Sequence, residues 1–111
     1  MHEWIKEFDV AITVCDKDGI ITEMNDKAIA TFAADGGAEL IGKNLYDYHP
    51  EHCNAKIREL LITGKANAYT IEKNGLRKLI YQQAWLKDGE IAGLVEMSIV
   101  YPGELPHHVR S

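Results

Sequence analysis

The hydrophobic and polar residues divide the chain into two short strand segments, a helical stretch and three longer strand segments. Apolar and β-branched residues dominate the first two segments, and the turn sequence DKDG at 16–19 separates them as in a hairpin. The dipeptides Asn74-Gly75 and Asp88-Gly89 separate the last three segments, and both are strong signals for tight hairpin turns. The predicted strands cover residues 10–16, 20–24, 66–73, 76–87 and 90–100.

Between the second and third strands the apolar residues recur at helical spacing instead of alternating. Asn25 is a favourable N-cap for a helix that reaches about residue 34, and Gly64 is a favourable C-terminal stop for a helix over about 51–63. Residues 38–48 favour short helical turns, and residues 2–8 predict a short amphipathic helix. This order predicts an α+β fold, in which a helical block is inserted between strands 2 and 3 of a five-stranded antiparallel sheet.

Length and charge narrow the class of protein. The chain has 111 residues, which suits one domain, and we expect a flanking helix over 1–9, the domain proper over 10–101 and an irregular tail over 102–111. The net charge of -5 and the scattered Lys and Arg argue against binding to nucleic acid or to an acidic membrane surface. No apolar run approaches the roughly 20 residues of a membrane span. We therefore expect a cytoplasmic protein without nucleic-acid or membrane partners.

The sequence does not indicate catalysis. An active site needs a nucleophile beside a base, or paired acids in a cleft. Asp16 and Asp18 lie in a predicted turn, and strand alternation predicts that Glu96 points outward. Cys15 lies in an apolar strand and is typical of a small buried hydrophobic residue. We expect that the protein is not an enzyme.

Several motifs recur here in the order and spacing of one known family. Asn25 begins the first helix, Gly42 follows Ile41 ahead of the helical block, Gly64 ends the long helix, and a D-G-x-I-x-G hairpin begins at Asp88. In these features the chain resembles the PAS family over about residues 9–100. The matching segments read DVAITVCDKDGIITEMNDKA, ELIGKNLYDYHP, KIRELLITG and LKDGEIAGLVEMSIV.

The resemblance implies a curved sheet and a layer of short helices that enclose a cavity for a small ligand. It also implies a homodimer, formed by the outer face of the sheet with the N-terminal helix, and a signalling effector in cis or in trans. The favoured function is thus a sensory module that binds a small molecule and dimerises to regulate an effector. A ligand-free dimerisation module is the alternative, and a haem-binding sensor is a second alternative.

Strand alternation sorts the side chains of the fourth and fifth strands into two faces. By resemblance, the odd-numbered residues of both strands face the cavity. Tyr81 and Gln83 are then the polar groups expected to orient a ligand, and Gly93 leaves room for a ligand near the backbone. The alternative is that Tyr81 and Gln83 bond only to the protein itself. The expected ligand-binding residues are His49, Cys53, Ile57, Tyr81, Gln83, Trp85, Gly93 and Met97.

His49, His52 and Cys53 form one cluster of residue types that ligate metals and haem iron. By resemblance, Cys53 falls where haem-binding members carry their iron-ligating histidine, and His52 lies about 100° of helix rotation away from that position. Haem therefore stays open as a cofactor, whereas a zinc site lacks a fourth ligand and we expect no metal. Flavin is not expected, because the segment PEHCNAKI lacks the polar residues that contact flavin in the family. The simpler interpretation is that Cys53 packs, His52 is solvated and His49 bonds a backbone group.

The N-terminal segment carries an apolar stripe made of Trp4, Ile5 and Phe8. With Ile80 and Ala84, which the predicted alternation places on the outer face of the fourth strand, these residues form the expected dimer interface. The alternative is that the stripe packs on its own sheet.

Overall fold

The computed structural model describes residues 1–111 and contains one five-stranded antiparallel sheet in the order β2-β1-β5-β4-β3. Every predicted strand is present within two residues of its expected ends. Asn74 and Gly75, like Asp88 and Gly89, have positive φ, which is the geometry that two-residue hairpin turns require. The strands are β1 (Ala11–Asp16), β2 (Ile21–Met24), β3 (Asn67–Lys73), β4 (Leu76–Lys87) and β5 (Glu90–Tyr101).

Three α-helices and three single turns of 3-10 helix accompany the sheet. Helix α1 is Glu3–Lys6, α2 is Asp26–Thr31 and α3 is Glu51–Thr63. The 3-10 turns occupy the connection between α2 and α3, where the sequence predicted short helical turns. Helix α1 is shorter than predicted, and α2 ends before residue 34 because the chain tightens into the first 3-10 turn. The predicted α+β class, with helices inserted between β2 and β3, is confirmed.

The side-chain amide of Asn25 is fully buried and joins three parts of the chain. Its oxygen accepts hydrogen bonds from the backbone N–H of Ile12 in β1 at 2.9 Å and of Ala28 in α2 at 3.0 Å. Its nitrogen donates to backbone oxygens in the N-terminal segment, at Val10, Ile5 and Phe8. Asn25 is therefore the N-cap that the sequence predicted, and it also holds α1 against the start of β1.

The hydrophobic core lies between the helices and one side of the sheet, which we call the inner face; the other side is the outer face. Leu94 of β5 belongs to the core, and it pairs with Cys15 of β1 and with Ala84 of β4. Residues directly opposite each other in an antiparallel pair share a face. The inner face of β4 therefore carries Ile80, Gln82 and Ala84.

The expected orientation of β4 and β5 is wrong. Tyr81 pairs with Met97 and Trp85 pairs with Gly93, so these residues do share a face as predicted, but it is the outer face. Both faces of β4 carry apolar residues with a single glutamine among them, at Gln82 or Gln83. Strand alternation sorts the side chains of β4 into two sets. Because the two sets are similarly apolar, alternation alone does not predict which set faces the helices.

Gly93 makes room for a side chain of the protein rather than for a ligand. The indole Nε1 of Trp85 donates a hydrogen bond to the backbone oxygen of Cys15 at 3.1 Å, so the ring extends across β5 to β1. A Cβ at Gly93 would lie 2.5 Å from Trp85 Nε1 and would collide with the Cys15 oxygen. Glycine at this position is thus required by the packing of three adjacent strands.

Replacement of Asn25 should destabilise the fold strongly. Asn25→Ala removes the cap of α2, worth about 1 kcal/mol, and leaves the buried Ile12 N–H without a partner, at a further cost of about 1–3 kcal/mol. We expect urea unfolding to show a loss of about 3 kcal/mol. Asn44→Ala is the matched control, because Asn44 caps a 3-10 turn and otherwise donates only an exposed 3.5 Å hydrogen bond to the Asp18 oxygen, so its expected loss is about 1 kcal/mol. Equal losses for the two variants would contradict the role assigned to Asn25.

Replacement of Gly93 should also destabilise the fold, because there is no space for a methyl group. Gly93→Ala should lower the free energy of unfolding by about 2–3 kcal/mol, the range of other overpacked sites. Gly103→Ala is the control, since a Cβ there would meet its nearest neighbour, Arg77, at 3.5 Å. Its effect should stay within about 0.5 kcal/mol. Wild-type stability for Gly93→Ala would show that the indole of Trp85 does not cross β5 as described.

Candidate functional site

A cavity of about 90 Å³ lies between the inner face of the sheet and the helical layer. Most of its wall is apolar, whereas its polar groups are few and come from different elements. Such a wall with a small number of converging polar groups is typical of sites for small organic ligands. The apolar wall includes Ile21, Met24, Phe32, Leu40, Ile57 and Leu94, and the polar groups include Thr13, Asp35, His49 and Glu96.

The sheet supplies the rigid floor of this cavity. Thr13 and Cys15 project from β1, and Leu94 and Glu96 project from β5, which is its central neighbour. The wall opposite the floor comes from α3, through Ile57, and from the connection between α2 and α3. Asp35, Tyr48 and His49 lie in that connection and are exposed to solvent. They therefore form the mouth of the cavity.

Glu96 ends a row of polar side chains that crosses the inner face. Asn67 of β3 donates to the side-chain oxygen of Gln82 of β4 at 2.9 Å, and the Gln82 nitrogen donates to Glu96 Oε2 at 3.2 Å. Gln82 is only 5% exposed, so its side chain is held between its two partners. The other carboxylate oxygen of Glu96, Oε1, receives no hydrogen bond from the chain. Because Glu96 also lines the cavity, this row holds its carboxylate in place there.

Tyr69, on the inner face of β3, lies near the same carboxylate. Partial burial raises the pKa of its phenol, and the negative charge of Glu96 raises it further. Tyr69 therefore stays neutral at physiological pH.

Cys15 lines the cavity floor as an unreactive thiol. It is 2% exposed, and burial raises its pKa to about 11, with the carboxylates of Asp16 and Glu96 adding to the rise. Because only the thiolate is a good nucleophile, Cys15 contributes bulk and polarisability to the cavity instead of reactivity.

The mouth is built on a turn held by two side chains. A ring nitrogen of His49, Nδ1, lies 2.8 Å from the backbone oxygen of Leu45, to which it can only donate. Asn54 of α3 donates to the backbone oxygen of Tyr46 at 2.9 Å and, at 3.4 Å, to that of His49. In neutral His49 the other ring nitrogen, Nε2, is left as an acceptor at the mouth.

Two of the expected ligand-binding residues line the cavity, namely His49 and Ile57. Cys53 is half-buried on α3 but does not contribute to the wall. The others are on the outer face, where the Tyr81 hydroxyl donates to the side-chain oxygen of Gln83 at 2.9 Å. The expectation of an inward position is therefore wrong for the outer-face residues Tyr81, Gln83, Trp85, Gly93 and Met97.

Glu96 is the polar group that the sequence interpretation assigned to the wrong side. A charged residue in the middle of this twelve-residue strand, between the apolar Val95 and Met97, was a visible signal. Strand alternation alone predicted that Glu96 points outward, because the sequence interpretation exchanged the inner and outer faces of β5.

Some of the expected dimer-interface residues are exposed, and others lie on the inner face. Ile80 is 5% exposed and Ala84 is half-buried, and both lie on the inner face, so the outer position expected for them is wrong. Trp4 and Phe8 are 65% and 48% exposed, and their rings meet edge to face at 6.0 Å. Ile5 is half-buried. The outer face itself presents a partly exposed apolar group: Leu79, Tyr81, Val95, Met97 and Ile99.

The residues present do not fit a haem. A cavity of about 150 Å³ holds one benzene ring, and the cavity here is smaller at about 90 Å³. Cys53 does not line it, and His52 is exposed on α3. No three His, Cys, Asp or Glu side chains converge to hold a metal ion.

The structure contains no helix with the length and apolar character needed to cross a membrane.

Comparison with solved structures shows the same fold in several bacterial proteins. A C-terminal domain from Streptococcus mutans matches with a TM-score of 0.71 at 21% identity, over 86% of this chain and 78% of that one. The Aer2 receptor of Vibrio cholerae, a dual PAS–haem oxygen sensor, matches with a TM-score of 0.64 at 22% identity, over 84% and 95%. The PAS domain of the histidine kinase ThkA matches with a TM-score of 0.65 at 20% identity, over 81% and 97%. At these identities the likeness concerns the fold.

No curated protein sequence matches the chain. The family model for the PAS fold matches residues 1–93, which include the flanking helix and the sheet as far as the first four residues of β5. The chain belongs to the PAS family.

Proposed function

We propose that this PAS domain is a sensory module that binds a compact small molecule in its inner-face cavity and reports binding through a homodimer to an effector. The observation that supports it is the cavity itself, an apolar enclosure with a fixed carboxylate, Glu96, at its floor. The effector can be a further domain of the same polypeptide or a separate protein. The row of polar groups and the neutral, buried Cys15 suit binding more than chemical conversion.

The sheet offers a short route from the cavity to the outer face. Leu94 and Glu96 line the cavity, and Val95 and Met97 alternate with them along β5 toward the outer side. A ligand that displaces the inner residues of this strand therefore displaces outer residues of the same strand.

A second route leads to the N-terminal segment. Met24 lines the cavity, and the next residue, Asn25, bonds to the backbone of Ile5 and Phe8. Trp4 and Phe8, the exposed aromatic pair, lie in that segment. Both routes end on apolar surface, which is the kind of surface that a second copy can cover.

Ligand binding is tested by native mass spectrometry of protein purified without refolding. We expect a retained extra mass on the wild type. Thr13→Phe fills the cavity and should remove that mass, whereas Val14→Phe, one residue along β1 on the outer face, should keep it. Circular dichroism checks that both variants fold. A bare polypeptide for the wild type and both variants would overturn the ligand-binding proposal and favour the ligand-free dimerisation module.

Dimerisation through the outer face is tested by sedimentation velocity. We expect the wild type to sediment as a dimer and Met97→Asp to sediment as a monomer, because an unpaired carboxylate in an apolar interface costs several kcal/mol. Val100→Asp is the control, since Val100 is 44% exposed on the same strand but on the inner side. A monomeric wild type, or a dimer that persists in Met97→Asp, would refute the outer-face dimer.

A further inference from the structure

The charged side chains that line the cavity are acidic. Two carboxylates, Glu96 at the floor and Asp35 at the mouth, contribute to its lining, and no Lys or Arg does. His49 is the one lining residue that can become a cation, and its Nδ1 is committed to the Leu45 oxygen. The electrostatic field inside the cavity therefore favours a positively charged guest over an anionic one.

The Glu96 carboxylate has an unused capacity for hydrogen bonding. Gln82 supplies one donor, to Oε2, and Oε1 has no donor from the chain. A carboxylate is an acceptor with about four lone-pair sites, and a buried or half-buried one is stabilised by each charged donor that reaches it. A guest with an N–H donor could supply the hydrogen bond to Oε1 that the protein does not provide.

The volume and the lining of the cavity restrict the size and the polarity of the guest. About 90 Å³ corresponds to roughly three water molecules at about 30 Å³ each, which leaves space for a skeleton of only a few heavy atoms. Thr13 stands opposite Glu96 in the sheet, and most of the remaining wall is apolar, with Leu94, Ile57 and Met24 among its residues. The skeleton of the guest is therefore mainly apolar. The guest is thus small, with one cationic or N–H end and one aliphatic end.

We propose that the cavity binds a compact aliphatic amine, whose ammonium group donates to Glu96 Oε1 while its hydrocarbon part packs against Leu94, Ile57 and Met24. This inference rests on the proposed function, because it names the ligand class for the same cavity. Gln82 is a positioning residue in this site: it contacts Glu96 and holds the carboxylate toward the cavity.

The test uses three probes with one carbon skeleton: isobutylamine, isobutanol and isobutyrate. Each is titrated into the full chain while methyl and amide NMR signals are followed. In the wild type we expect all perturbations to centre on Leu94, Ile57 and Met24, with isobutylamine the tightest binder and isobutyrate the weakest. Glu96→Gln keeps the shape but removes the charge, and it should weaken isobutylamine about tenfold while leaving isobutanol unchanged.

Two further variants make the assignment specific. Glu90→Gln removes a carboxylate from the same strand at an exposed position, and it should leave all three affinities unchanged. Gln82→Met should reduce the preference for isobutylamine over isobutanol without changing the affinity for isobutanol. A merely structural role for Gln82 would lower both affinities together.

The outcomes separate this inference from the proposed function. If isobutyrate binds as tightly as isobutylamine, or if Glu96→Gln leaves the amine affinity unchanged, the amine proposal is refuted and the cavity remains a ligand site. If none of the three probes perturbs the cavity residues, the amine proposal is refuted, and the retained mass in native mass spectrometry decides whether the cavity is a ligand site.

Discussion

The buried side-chain amide of Asn25 fixes where the N-terminal segment, β1 and α2 meet. It uses both its acceptor and its donor groups on main-chain partners, and a buried amide without those partners would be costly. The chain therefore has little freedom in where α2 leaves the sheet. Because Met24, the residue before Asn25, lines the cavity, the same bonds set one side of the cavity and tie it to the exposed aromatic pair of the N-terminal segment.

The cavity and the outer face lie on opposite sides of the same β-sheet. In β5, Leu94 and Glu96 line the cavity and alternate with Val95 and Met97, which are partly exposed on the outer face. Close packing of protein interiors transmits small displacements instead of absorbing them. A ligand that pulls on Glu96 would move the backbone that also carries Met97. Under the proposed function, a small internal binding event would in this way become a change at a surface that a second copy can contact.

Much of the fold could be predicted because its boundaries depend on local chemistry. Asn-Gly and Asp-Gly adopt the positive φ of tight turns, Asn25 caps α2, and Gly64 ends α3 in the left-handed conformation. The orientation of β4 and β5 could not be predicted from alternation. Both faces of β4 carry apolar residues, and in β5 the more apolar set, with Val95 and Met97, lies on the outer face while Glu96 lies on the inner face. The orientation depends on packing against helices distant in sequence. Glu96 was therefore assigned to the wrong side. His49 and Ile57, which belong to the helical block, do line the cavity.

The most direct test of this account is methyl NMR of the protein under xenon pressure, because xenon enters apolar cavities without needing a specific partner. The account predicts that methyl signals of Leu94, Ile57, Leu40 and Met24 shift in a saturable way, whereas those of Val95 and Met97 do not. Saturable shifts confined to Val95 and Met97, or no saturable shift at all, would contradict the inner-face cavity on which the proposed function rests.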